Sequence, residues 1–174
     1  MVDLLLEQGH LPSVQEVASR AGVSLSSVYR YFENLDELRV DTIARTRERY
    51  RPLFELRPPA RGALADRARA LVATRVRNYE TLAPVARLVR ARAGDQPSLS
   101  DVLAEVRREQ QQQVAELFGS ELQHRSPSEA GDLVVTVLTL TSFEAWDLQR
   151  ALGRSASQIR RSWTAALIRL LSSG

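Results

Sequence analysis

The sequence predicts an all-α fold, and three observations predict it. No stretch alternates polar and apolar residues with period two. Apolar residues instead recur at three- and four-residue spacing, and capped starts alternate with glycine and proline stops along the chain. With 174 residues, 44% of them hydrophobic, the chain has room for one medium domain or a small domain joined to a larger one, with enough apolar residues for a real core.

The elements follow in order. Leu4 to Gln8 form a short first helix that Gly9 ends. Ser13 caps a second helix, with Glu16 three positions later completing a capping box and Val14, Val17, Ala18 and Ala21 as its inner stripe. Gly22 supplies a turn and Ser24 caps a third helix, whose inward residues are Val28 and Phe32. Asp36 opens a fourth helix to about Leu53, with Leu38, Ile43 and Tyr50 able to pack. Arg57-Pro58-Pro59 breaks the chain, because consecutive prolines do not continue a helix.

Helices are expected next at Ala63 to Tyr79, Ala83 to Ala93 and Ser100 to Phe118, separated by Thr81 to Pro84, Gly94 to Pro97 and Gly119 to Pro127. Two more, Ser128 to Leu152 and Ser155 to Leu171, are split at Gly153. The run Gln110 to Gln113 reads as a wet helix face.

Composition removes several classes of function. Without cysteine there are no disulfides, thiolate zinc sites or thiol catalysis. No apolar run approaches the ~20 residues that span a bilayer, and MVDLLLEQGH lacks the basic start of a signal peptide. A cytoplasmic protein with no membrane partner is expected. His10 and His124 are the two histidines, and neither belongs to a paired metal-ligand spacing. There is no glycine-rich phosphate loop or nucleophile elbow, so neither an enzyme nor a cofactor is expected.

Net charge is +3, unevenly placed. Residues 1–50 hold six Arg against eight acids, while residues 51–174 hold eighteen against thirteen. DNA contact by the N-terminal part therefore rests on placed side chains, without a broad positive face. All basic residues are Arg, which a GC-rich coding bias explains.

Ser13 to Leu38 is the most specific segment. Ala18 is small enough for two helices to approach, Gly22 takes the turn, and Val23 and Val28 fill the elbow. Leu25, Ser26, Ser27, Tyr29, Arg30 and Tyr31 are left facing outward. Two tyrosines beside an arginine on so short a helix call for something to cover them. The pattern V-A-x-x-A-G-V-S-x-x-x-V-Y-x-Y-F-x-N-x-x-E-L, from Val17 to Leu38, resembles the TetR family of bacterial transcriptional regulators.

The resemblance implies a homodimeric repressor with about nine helices. Residues 1–46 would be a helix-turn-helix DNA-binding head with a shortened first helix, and 47–174 a ligand-binding and dimerisation body. It implies a palindromic double-stranded DNA operator and a small-molecule effector as partners. Ser24, Ser26, Ser27, Tyr29, Arg30 and Tyr31 fall on the family's DNA-facing positions, and Ser13 falls where a helix N-terminus meets phosphate. Within that set Arg30 and Ser27 suit base edges, Tyr29 spans base and phosphate, and Ser13 and Tyr31 suit phosphate. Leu25 and Leu35 stand where family members commonly carry polar or basic groups, which lowers the expected non-specific affinity. A helical protein-interaction module with a decayed DNA-binding head is the competing expectation.

In the body, Leu133, Val134, Val135, Val137, Leu138, Leu140, Phe143, Ala145, Trp146 and Leu148 make a helix apolar nearly all round. The last helix adds Ile159, Trp163, Ala166, Leu167 and Leu170. That surplus predicts a twofold four-helix interface, with Val134, Leu138, Ile159, Trp163, Leu167 and Leu170 at its centre, and a wholly intrachain core is the alternative. Tyr79, Leu88, Phe118, Phe143 and Trp146 are the candidate walls of a ligand pocket, although aromatics at helical spacing more often simply pack as core. Arg75, Arg77, Arg87, Arg90 and Arg92 are expected on a solvated face, where an anionic ligand is the alternative.

Overall fold

The computed structural model describes residues 13–32, 35–56 and 62–172, and their regular structure is helical throughout. The expected first helix at Leu4 to Gln8, with Gly9 and His10, lies outside the described residues, as do Arg57-Pro58-Pro59. The nine helical segments among the described residues are α1 (Val14–Ala21), α2 (Leu25–Tyr31), α3 (Leu35–Phe54), α4 (Leu64–Ala93), α5 (Pro97–Leu117), α6 (Gly119–Leu122), α7 (Pro127–Leu140), α8 (Phe143–Ala151) and α9 (Ala156–Ser172).

Packing divides the chain into two units. One comprises Met1–Pro52 with Leu82–Leu103, the other Leu53–Thr81 with Ala104–Gly174. The sequence division at residue 46 is a single cut, whereas each packing unit draws on two stretches of chain.

In the first unit Val14 and Ala18 of α1, Val28 of α2 and Leu38 of α3 form one buried cluster, with Phe32 packed against it. Ala21 and Val23, expected inside, are exposed, Val23 by 45%. The reason is the turn. Gly22 is left-handed at φ 67°, its N–H donates to the Ser19 carbonyl at 3.2 Å, and the Val23 N–H donates to Ala18 at 3.0 Å. This two-bond glycine stop leaves the following residue pointing outward before Ser24 caps α2. A second buried cluster joins Val85 and Val89 of α4 to Leu99 and Leu103 of α5, and Ile43 of α3 packs on it.

The second unit is built on the first half of α4, where Leu71, Val72, Thr74, Arg75, Val76, Asn78 and Tyr79 are all buried. α9 packs against α7 and α8, burying Ile159, Trp163, Leu167 and Leu171 at helical spacing. Gly153, at φ 78°, ends α8 with the same two-bond stop, Gly153 to Arg150 and Arg154 to Gln149, each 3.0 Å.

Three expected boundaries move. The break at Thr81 to Pro84 is absent: α4 runs through Pro84 as one helix. Leu82, Ala83 and Val85 beside the proline are buried, and that packing outweighs the lost backbone hydrogen bond. The expected helix from Ser128 to Leu152 is cut at Thr141, because Ser142 caps a new helix by accepting from the Ala145 N–H at 3.1 Å. The separator at Gly119 contains the short α6. No described helix is long and apolar enough to cross a membrane.

Candidate nucleic-acid interface and ligand region

α2 is a seven-residue helix held from below by Val28 and bare on its other side. Tyr29 and Tyr31 are 57% and 71% exposed, and Leu25, Ser26 and Arg30 are exposed beside them. The Arg30 guanidinium stacks over the Tyr31 ring, 5.3 Å from its centroid, which fixes a cation on an aromatic face. The expected group of Tyr29, Arg30 and Tyr31 therefore shares one short element.

The serines divide. Ser26 is exposed. The Ser24 hydroxyl accepts the Ser27 N–H at 3.1 Å and lies 2.9 Å from the Ser27 hydroxyl, so both are engaged in capping α2. Ser13 departs further from a phosphate contact. Its hydroxyl and its N–H both donate to one Glu16 carboxylate oxygen at 2.7 Å, and its hydroxyl accepts the Glu16 N–H at 3.2 Å. The carboxylate already sits where a phosphate would, so the capping box and the phosphate contact compete for one place. The Leu35 side chain lies outside the described part.

The proposed pocket walls fall into separate places. Tyr79, Phe143 and Trp146 come together, with ring centroids 5.5, 5.9 and 5.3 Å apart in the pairs Tyr79–Phe143, Tyr79–Trp146 and Phe143–Trp146. The Tyr79 hydroxyl donates to the Thr141 carbonyl at 2.9 Å, serving an acceptor near the break between α7 and α8. The Trp146 indole N–H donates to Glu80 at 3.2 Å. Phe118 is fully buried beneath the Arg67 guanidinium at 5.7 Å. Leu88 packs on the Val85 and Leu99 cluster of the other unit.

The arginines of α4 also separate. Arg77, Arg87 and Arg92 are exposed and Arg90 is half-buried, but Arg75 is buried at 4% exposure. Its signal was present in the sequence: Leu71 and Val72 before it and Tyr79 after it share its helix face, so the face is apolar. Arg67, also buried, is fully engaged. It donates to the Leu117 carbonyl at 2.6 Å, to Gly62 at 3.1 Å and to both Glu121 oxygens, one at 2.9 Å. Burial works to raise the Glu121 pKa, but hydrogen bonds from Arg67 and Ser120 outweigh it and hold the carboxyl below its ordinary value.

Four of the six residues expected at a dimer interface lie inside the chain. Val134, Ile159, Trp163 and Leu167 are buried within the single chain, because α9 lays its apolar stripe on α7 and α8. Leu138 and Leu170 are half-buried, and the exposed apolar surface of this region is Val135, Leu148 and Leu152. His124 is exposed beside Gln123, and no group of His, Asp or Glu among the described residues suits a metal ion. Comparison with protein-family models, curated proteins and solved structures finds no match to this chain.

Proposed function

We propose that this protein is a DNA-binding transcriptional regulator, a homodimeric repressor that a small molecule releases from a palindromic operator. The observation that carries this reading is the uncovered face of α2, with Tyr29, Arg30 and Tyr31 on a helix braced from behind by Val14, Ala18, Val28 and Leu38. A short braced helix with a stacked arginine and two tyrosines suits a major groove, where Arg reads guanine and Tyr reaches phosphate. The likeness to the TetR pattern from Val17 to Leu38 supports the same reading. α3 follows the reading helix and packs by Ile43 on Val85 and Val89, so displacement of that part of α4 moves α3 with it.

Two such helices must reach successive grooves about 34 Å apart, which requires a twofold partner. Exposed Val135, Leu148 and Leu152 are the apolar surface a second copy would cover, with Leu138 and Leu170 at its margin. Sedimentation at micromolar concentration is expected to give a dimer that Leu148→Glu turns into monomer. A wild-type monomer would remove the twofold arrangement.

The direct test is a gel shift with the DNA upstream of the protein's own gene across a salt series. A specific complex that weakens steeply with salt supports the proposal. A helical protein-interaction module is the second reading, favoured by the acidic balance of residues 1–50 and by Glu16 at the start of α1. Absence of any specific complex at low salt would favour it.

A further inference from the structure

Among the described residues, Arg75 has two buried nitrogens, Nε and Nη2, without a hydrogen-bond partner. These two nitrogens form one edge of the guanidinium, with their N–H bonds parallel. Three residues on, Asn78 is 3% exposed and its Oδ1 also lacks a partner. One turn on, the Tyr79 hydroxyl lies beside the guanidinium, and the Tyr79 ring belongs to the cluster with Phe143 and Trp146. Helical spacing puts residues 75, 78 and 79 on a single face of α4.

Arg67, two turns earlier on the same helix, shows what a structural buried arginine has here: carbonyls and a carboxylate on its nitrogens. Among the described residues no carboxylate pairs with Arg75. Burial draws its pKa down, and Tyr79 opposes that. An aliphatic side chain would fill the same space without burying a charge, so packing does not account for an arginine. An anion arriving from outside does. The free Nε–Nη2 edge matches the two oxygens of a carboxylate side-on. The free Asn78 oxygen needs a donor, such as a hydroxyl or N–H next to that carboxylate, and the three rings suit an apolar body.

We propose that Arg75 and Asn78 are the recognition end of a binding site for an organic carboxylic acid with a hydrogen-bond donor beside the carboxylate and an apolar or aromatic body against Tyr79, Phe143 and Trp146. That this acid is the effector rests on the regulator reading; the binding itself does not.

The full chain titrated with 3-phenyllactate by calorimetry and thermal unfolding tests the site. The acid binds saturably and raises Tm. Its neutral amide binds at least about tenfold more weakly, since a charged hydrogen-bond pair is lost. Arg75→Met abolishes acid binding while keeping or raising the Tm of the free protein, Arg75→Lys binds at an intermediate level, and Asn78→Leu removes the preference for 3-phenyllactate over 3-phenylpropanoate. Arg75→Lys and Asn78→Leu carry the test if Arg75→Met does not fold. Equal binding of acid and amide, unchanged binding by Arg75→Met, or no binding of the acid at millimolar concentration overturns the site. Equal stabilisation by acetate or inorganic phosphate overturns the organic-acid class. A gel shift of the free protein separates the two readings: acid binding without any DNA complex sustains the site and removes the regulator.

Discussion

The outer face of α2 and the buried face of α4 both present groups with capacity left for a partner, and they differ in kind. On α2 the open groups are aromatic rings and a stacked cation exposed to water. On α4 they are two guanidinium nitrogens and an amide oxygen sealed from water. Exposed aromatic surface is tolerable without a ligand and becomes favourable when a large surface covers it. A buried unpaired cation is unfavourable until an anion reaches it. The first arrangement suits a macromolecule and the second a small anion, which are the two partners of the proposed regulator. Arg67 provides the internal standard, since it shares a helix with Arg75 and has its hydrogen bonds satisfied.

The largest expected effect tests that standard. Arg67→Met leaves the Glu121 carboxylate, 15% exposed, without its cation and removes the bond to Leu117. A loss of about 3 kcal/mol in urea unfolding at neutral pH is expected. Arg75→Met is expected to cost nothing, and equal losses at the two positions would erase the distinction between them.

On the outer face, the proposed regulator role predicts that Arg30→Ala weakens DNA binding by about 1–3 kcal/mol and relaxes preference at one base position. Loss of the same size on every sequence would make Arg30 a phosphate ligand. Gly22→Ala is smaller. A Cβ there meets nothing within 4 Å, so the cost is the positive φ alone, about 1 kcal/mol, with Gly22→Asn costing less. Thermal unfolding of the three forms measures it.

The smallest effect is in acid. The Glu121 pKa is depressed by folding, so its contribution is complete above the unfolded value of about 4.3 and is lost as pH falls through the folded value. Wild type should lose stability over that range more steeply than Arg67→Met, in which the carboxyl has lost its main stabilising partner. Parallel acid profiles would show that the ion pair does not set the shift.

How much was legible follows from where local rules decide. Ser13 with Glu16, Gly22 and Ser24 act within one turn of chain, and their caps are found as the sequence implies. The continuity of α4 through Pro84 was not legible, because burial of Leu82, Ala83 and Val85 is a tertiary effect. Neither was the destination of the last helix. Ile159, Trp163 and Leu167 have the spacing of an interface stripe, and spacing alone does not distinguish a second copy from α7 and α8 of the same chain. Arg75 leaves the solvated face expected for the arginines of α4, because its neighbours one turn away, Leu71, Val72 and Tyr79, are apolar and buried.

The measurement that bears most directly on the account is selection of binding sites from a random duplex library, followed by anisotropy titration of wild type and Arg30→Ala on the selected sequence. A palindromic consensus with half-sites one helical turn apart or a multiple of it is expected, with a discrimination over random DNA that Arg30→Ala largely removes. Recovery of no consensus, or full discrimination by Arg30→Ala, would contradict it.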